Sequence, residues 1–171
     1  MKKTLCSALL LVFIVVIQGC ATRVPADVDA SRAFVVFPFS TSDESAGELH
    51  FDYRIDLVLR ADGDVTRNIF LRTVPGKRIA VVELEREGFY AVDRVNYVGK
   101  RKGTNYSRSG WGTVEARLGM ITVYRYELVT TVRDGLQYFQ FVRLSDDDLQ
   151  AYIDMLIRSN PDAQNWPIQY L

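Results

Sequence analysis

The sequence predicts a β-rich α+β protein, an antiparallel β-sandwich of about seven or eight strands with one C-terminal helix. Three observations predict it. Apolar and polar residues alternate along Glu48 to Arg60, as in a strand with one buried and one solvated face. Short runs of β-branched and aromatic residues are separated by turns that contain glycine or proline. After Ser145 the apolar spacing changes to that of a helix.

Strand patterns recur between Arg32 and Leu144, joined by turn signals such as Asp62-Gly63 and Asp134-Gly135. Short turns of this kind join antiparallel neighbours. Pro38 indicates an edge position or a strand end, because proline cannot donate to a sheet ladder. The predicted strands are 32–39, 48–60, 65–74, 78–85, 89–98, 111–118, 120–132 and 136–144.

One helix is predicted over about 146–159. Ser145 can cap it, and Asp148 follows three residues later, a variant of the capping box. Asn160-Pro161 ends the helix, and the tail 163–171 has enough apolar residues to dock onto the domain. The residues of its buried stripe are Leu149, Tyr152, Ile153, Leu156 and Ile157.

The N-terminus has the order of a signal peptide. Lys2 and Lys3 precede an apolar run over 5–17, which is shorter than the about 20 residues of a membrane-spanning helix. An uncleaved anchor is the alternative. Residues 17–20, Ile-Gln-Gly-Cys, resemble the lipobox of bacterial lipoproteins, although Gln18 replaces the small or aliphatic residue that is commoner there.

The lipobox resemblance implies that residues 1–19 are removed as a lipoprotein signal peptide. It also implies that a diacylglyceryl group is attached to the thiol of Cys20 and that the new amine is acylated. Ala21 follows the cysteine where lipoproteins of the inner membrane often have Asp, so the expected location is the periplasmic face of the outer membrane. Residues 20–31 are then the lipidated end and a flexible tether, and 32–171 form a single domain.

Composition excludes several classes of function. Without Lys2 and Lys3 the chain has 19 basic and 21 acidic residues, so a nucleic-acid partner is not expected. Cys6 is removed with the signal peptide, and a lipidated Cys20 leaves no free thiol and no disulfide. The predicted domain depends on its apolar core for stability.

A second resemblance covers Pro75 to Val95. Pro75-Gly76, Gly88 and Tyr90 resemble a pattern in prealbumin-like and carboxypeptidase-regulatory-like sandwiches, with Glu87 in place of the usual second proline. The resemblance implies a sandwich and, by analogy alone, a scaffold or binding role.

Candidate catalytic and metal-binding residues are few. The lone histidine, His50, lies on the polar face of a predicted strand, and no glycine-flanked serine nucleophile occurs. Asp62 and Asp64, or the aspartates at 146–148, have the oxygen ligands of a calcium site, but a hairpin turn and a helix start explain them more simply. No catalytic residue, metal or cofactor is therefore predicted.

The most distinctive surface segment is 97–112, which is basic and aromatic and contains no acid. It is either a binding loop for phosphate, carboxylate, sugar or peptide groups of the envelope, or a hairpin loop that its charges keep soluble. Aromatic residues between Tyr124 and Phe141 are expected in the core or in cross-strand pairs. The candidate binding residues are Lys100, Arg101, Lys102, Tyr106, Arg108 and Trp111.

These expectations together favour a lipid-anchored envelope protein that acts as a non-catalytic binding or accessory module. Its partners would be the membrane, through Cys20, and envelope proteins or anionic groups of the cell wall or lipopolysaccharide. One alternative is a subunit of a larger envelope assembly that pairs through an exposed strand edge. Another is a carboxylate-dependent envelope hydrolase.

Overall fold

A computed structural model describes residues 22–43, 54–61, 64–72, 75–98, 107–109, 112–133 and 136–170. These ranges contain eleven strands, the α-helix α1 (Asp146–Ser159) and a 3-10 helix (Pro161–Asn165). The strands are β1 (Ala33–Asp43), β2 (Arg54–Ala61), β3 (Asp64–Arg72), β4 (Gly76–Leu84), β5 (Gly88–Val98), β6 (Ser107–Ser109), β7 (Thr113–Ala116), β8 (Ile121–Val123), β9 (Tyr126–Arg133), β10 (Leu136–Arg143) and β11 (Ile168–Tyr170).

Strand β1 is the centre of a mixed sheet, sheet A. On one side it pairs antiparallel with β4 over 33–41. On the other side it pairs parallel with β8 over 34–36 and parallel with β9 over 39–43. Strand β10 then pairs antiparallel with β9, and β11 pairs parallel with β8. Among the described strands, β4 lies at one edge of sheet A, and β10 and β11 lie at the other.

The remaining strands form an antiparallel sheet, sheet B. Its order is β3, β2, β5. On the far side of β5, two short strands share the edge: β7 pairs with 88–91 and β6 pairs with 94–96.

Sheet A separates two apolar cores, because successive side chains of β1 point to opposite faces. Core 1 contains residues of both sheets, and core 2 lies between sheet A and α1, so α1, sheet A and sheet B are successive layers. Core 1 includes Val35, Phe37, Val82 and Leu128 of sheet A and Leu59, Leu71, Val92 and Val114 of sheet B. Core 2 includes Phe34, Val36, Ile121, Val123, Leu149, Tyr152, Leu156 and Trp166.

The β-rich α+β class and the C-terminal helix are confirmed. Helix α1 has the predicted bounds, and the Ser145 side chain accepts a hydrogen bond from the backbone N–H of Asp148 at 3.2 Å. The Ser145 hydroxyl also donates to the Asp148 carboxylate at 2.7 Å. Within the described ranges, neither helix combines the length and the apolar composition that a membrane span requires.

Sheet A differs from the antiparallel sheet that the turns predict. Two of its parallel pairs join β1 to β8 and β9, which follow only after the described strands of sheet B, and a third joins β8 to β11. Turn signals, by contrast, indicate only which strands that are neighbours in sequence pair with each other. The predicted strand 120–132 is interrupted at Tyr124 and Arg125, where the backbone N–H of Tyr124 donates to the Val36 carbonyl at 2.9 Å. Two described strands, β6 and β11, were not predicted, and the described total exceeds the seven or eight expected.

The chain before β1 packs against the domain. Val24 is 1% exposed and belongs to core 2. Near β1, the Arg32 carbonyl accepts a hydrogen bond from Gly119 at 2.7 Å. The described part of the predicted tether is therefore held to the domain from Val24 onwards.

Gly112 and Gly76 provide a matched test of a close contact. Both have left-handed φ angles, +97° and +106°, but a Cβ at Gly112 would lie 3.2 Å from the Tyr124 hydroxyl oxygen, whereas one at Gly76 would meet nothing within 4 Å. Positive φ costs an alanine about 1–2 kcal/mol at either site. Gly112→Ala is expected to lower the free energy of unfolding more than Gly76→Ala, as measured by urea denaturation. Equal losses would contradict the contact.

Candidate functional site

Most of the predicted binding loop lies outside the described residues. Of its candidate residues, Arg108 is described, as part of β6, where its backbone pairs with Val95. Lipid attachment and loop binding therefore stay predictions. The candidate residues outside the described ranges are Cys20, His50, Asp62, Lys100, Arg101, Lys102, Tyr106 and Trp111.

Two of the three aspartates that begin α1 form ion pairs with neighbouring segments. Asp146 accepts a hydrogen bond from the Arg125 guanidinium, and Asp148 accepts one from the Lys77 ammonium at 3.0 Å. Lys77 lies on β4, so the second ion pair joins the start of the helix to the edge of sheet A. In the part of the chain that the structure describes, no group of three or more acidic, His or Cys side chains could hold a metal ion.

The pKa of Asp148 should report this helix start. The hydrogen bond from Ser145, followed by that from Lys77, holds the pKa of the Asp148 carboxyl below its ordinary value. Because the folded pKa lies below the unfolded one, the stabilisation is present above the unfolded pKa and is lost as the pH falls through the folded pKa. NMR titration should show this low pKa, and Ser145→Ala should raise it. An unchanged pKa in Ser145→Ala would contradict the assignment.

Strand β10 presents a partly exposed apolar surface at the edge of sheet A. Tyr138 is 53% exposed and Val142 is 41% exposed, and β9 is the one described strand that pairs with β10. Phe139 and Phe141 point to the opposite face and pack against core 1. The Tyr138, Gln140 and Val142 side chains therefore lie on the face away from sheet B. We call these three residues and their strand edge the β10 surface.

The β10 surface has no ionised side chain between Leu136 and Val142. Edge strands of soluble proteins are commonly protected by charges, prolines or bulges that prevent another strand from pairing with them. The opposite edge of sheet A has such protection, since β4 has Lys77 and Arg78 directly after its first residue and Glu83 near its end. Arg143 ends β10. The two edges therefore differ in their capacity to accept another chain.

A second polar feature lies beneath α1. Glu127 of β9 is 7% exposed, Tyr152 of α1 is 1% exposed, and the Lys77 ammonium lies 5.5 Å from the centre of the Tyr152 ring. Burial, and then the carboxylate of Glu127, raise the pKa of Tyr152, so its hydroxyl stays protonated. The Tyr152 hydroxyl makes no hydrogen bond to the described part of the protein.

Tyr152→Phe should therefore be tolerated. A buried hydroxyl without a partner carries a desolvation cost, so its removal is expected to leave the free energy of unfolding unchanged or to raise it by up to about 1 kcal/mol. Tyr152→Ala, which also removes the buried ring, is expected to cost about 3–5 kcal/mol. A loss of more than about 1 kcal/mol in Tyr152→Phe would instead indicate that the hydroxyl donates to Glu127. Thermal and urea denaturation measure these changes.

Sequence reasoning missed the β10 surface as a candidate site. It assigned Tyr138 to the core or to a cross-strand pair, and Tyr138 does lie opposite Thr131 of β9. The sequence does not predict the exposure of Tyr138. Alternation shows which side chains share a face of the strand, but it does not show whether another part of the protein covers that face. The run without charge over 136–142 was the available signal.

Comparison of the chain with protein-family models, with curated proteins and with solved structures found no match.

Proposed function

We propose that the protein is a lipid-anchored module of the bacterial cell envelope that binds a protein partner and does not catalyse a reaction. Cys20 is its lipid attachment site, and the periplasmic face of the outer membrane is its location; the lipobox resemblance of residues 17–20 supports both. The two sheets form a β-sandwich that serves as the scaffold. The observation that carries the binding function is the edge strand β10, which is partly exposed and has no charged side chain between Leu136 and Val142.

A partner strand or surface would recognise β10 in two ways. Addition of a strand to a sheet edge supplies backbone hydrogen bonds, and pockets for alternate side chains supply specificity. Tyr138 and Val142 are the alternate side chains that such a partner would cover. Tyrosine is enriched among the residues that contribute most to protein interfaces, because it combines a large apolar ring with a hydroxyl.

The surroundings of Tyr138 suit a protein interface with an apolar centre and a polar rim. Thr131 lies directly opposite Tyr138, and its hydroxyl accepts a hydrogen bond from Ser42 at 3.2 Å. Gln140 lies between the two apolar side chains on the same face of β10. Protein interfaces commonly have this arrangement of apolar anchors and neighbouring polar groups.

The predicted loop 97–112 is a second binding surface in this proposal, for anionic groups of the cell wall or lipopolysaccharide. Its support is the composition of the segment. The proposal for β10 does not depend on it, because the observations that support β10 all concern residues of sheet A.

Site-specific photo-crosslinking tests the partner. A photoreactive phenylalanine analogue at position 138, in intact cells, is expected to give a discrete protein adduct. The same analogue at Phe89, which is 69% exposed on β5, should not give that adduct. Val142→Lys should abolish the adduct, since a lysine on the edge opposes strand pairing, and Phe89→Lys should leave it unchanged. The same adducts from both positions, or an adduct that Val142→Lys does not weaken, would contradict the proposal.

Mass spectrometry tests the anchor. The mature protein is expected to begin at Cys20 with an acylated mass, and Cys20→Ser should lose both the acyl groups and the membrane fractionation, because the lipid supplies the membrane affinity. Acylation and membrane recovery that persist in Cys20→Ser would refute the anchor while leaving the partner experiment interpretable.

A further inference from the structure

We infer that the corner of the domain formed by Val24, Pro25 and Trp166, which we call the N-terminal corner, faces the lipid bilayer at short range. The inference rests on the proposed lipid attachment at Cys20. It adds an orientation, because the structure shows where the chain that leads from the lipid is attached to the domain.

Two hydrogen bonds and a buried side chain attach the chain there. The Trp166 indole N–H donates to the Pro25 carbonyl at 2.8 Å, and the Asn165 side-chain amide donates to the Ala26 carbonyl at 3.0 Å. Val24 is 1% exposed within core 2. The chain is therefore fixed by side chains from the C-terminal tail, about 140 residues away in sequence.

The N-terminal corner is continuous with sheet A. The Trp166 ring packs edge-on against Phe34 of β1, with centroids 5.1 Å apart. The next residue, Pro167, accepts a hydrogen bond through its carbonyl from the Ile121 backbone N–H of β8 at 2.9 Å. Movement of the corner away from the domain would break contacts with β1 and β8 of sheet A, so the corner moves together with the sheet.

Chain length then limits the distance to the membrane. Only four residue steps separate Cys20 from Val24, and even a fully extended chain spans about 14 Å over them. The whole predicted tether of eleven residues would have allowed about 35–40 Å. Strand β1 starts beside Trp166 and its eleven residues extend over about 35 Å, so its far end can lie well away from the lipid. Partners that the domain reaches must consequently lie close to the same membrane.

The charges near the attachment permit this position. Arg23 is exposed and precedes Val24 directly, and basic side chains next to an anchor are attracted to anionic headgroups. Asp27 and Val28 are also exposed. With basic, acidic and apolar side chains exposed together, the corner is not a surface that inserts into lipid. The lipid anchor at Cys20 holds the corner at the headgroups.

Depth-dependent fluorescence quenching tests the orientation. The acylated mature protein has no other free thiol, so one dye can be attached through Gln164→Cys, beside the corner, or through Ser42→Cys, at the far end of β1; both positions are exposed. The proteins are reconstituted in phosphatidylethanolamine and phosphatidylglycerol vesicles with nitroxide-labelled headgroups. The Gln164→Cys dye is expected to be quenched and the Ser42→Cys dye to remain at background. Insertion of about fifteen Gly and Ser residues after Thr22, which adds about 20 Å of reach, should abolish the quenching.

The outcomes separate the two proposals. Equal quenching at both positions, or quenching that the insertion leaves unchanged, would overturn the orientation while the anchor stands. Flotation of the vesicles reports on the anchor independently: acylated protein must float with the lipid. If the mature protein isolated from cells carries no acyl groups and does not float with the vesicles, the anchor and the orientation are overturned together.

Discussion

Replacing Trp166 with alanine is expected to lower the free energy of unfolding by about 3–5 kcal/mol, the cost of removing a buried aromatic side chain. Trp166 is 3% exposed, packs against Phe34 and donates to the Pro25 carbonyl. The substitution leaves a cavity in core 2 and releases the segment around Val24. Since domains of this size are stabilised by about 5–15 kcal/mol, urea denaturation should show a large decrease in the transition midpoint.

Two control variants separate the contribution of the buried ring of Trp166 from that of its hydrogen bond and from that of the tail in general. Trp166→Phe keeps a ring beside Phe34 but removes the indole N–H, and should cost about 1 kcal/mol for the lost hydrogen bond. Tyr170→Ala, in the same tail but at a side chain that is 51% exposed, should change stability by less than about 1 kcal/mol. If Trp166→Ala costs no more than Tyr170→Ala, the attachment of the N-terminal segment to the tail is wrong.

Leu59→Ala and Leu156→Ala are expected to destabilise one cooperative transition by about 2–5 kcal/mol each. Both side chains are 0% exposed, Leu59 in core 1 on sheet B and Leu156 in core 2 on α1. Sheet A contributes side chains to both cores. Truncation of a buried side chain in either core should therefore lower the free energy of unfolding of all three layers together. Circular dichroism and tryptophan fluorescence should follow the same transition in both variants.

The opposite result would divide the chain into separate units. If Leu59→Ala shifted only part of the unfolding signal, and Leu156→Ala another part, the prediction of a single domain over 32–171 would fail. Ile157→Ala, at a partly buried position on α1, serves as the control and should cost less than Leu156→Ala, because less of the side chain is removed from the core.

Helix α1 and most strands of both sheets could be predicted because their determinants are local. Ser145, Asp148 and the spacing of Leu149 to Leu156 specify a helix without reference to the rest of the chain. Alternation and turns likewise indicate the strands that begin and end near glycine or proline. The two unpredicted strands, β6 and β11, have three residues each, too few for a periodic pattern to be recognised.

The candidate site could be predicted only in part. The strand pattern of β10 and its lack of charge are visible in the sequence, and so is the apolar character of the C-terminal tail. The position of β10 at the edge of sheet A follows from the parallel pairing of β1 with β9, which no turn encodes. The attachment of Trp166 to Pro25 joins the two ends of the chain, and a pattern within one segment cannot specify it.

By itself, the sequence determined the β-rich class, the bounds of α1 with its Ser145 cap, and the expectation of a lipid anchor at Cys20, because each depends on a short continuous stretch of residues. The tertiary structure alone decided that sheet A is mixed, that Tyr138 and Val142 lie partly exposed on an edge strand, and that the chain is held to the domain from Val24 onwards. Those features arise where distant segments compete for the same sheet edge or the same apolar face, and the free energy of that packing belongs to the whole chain.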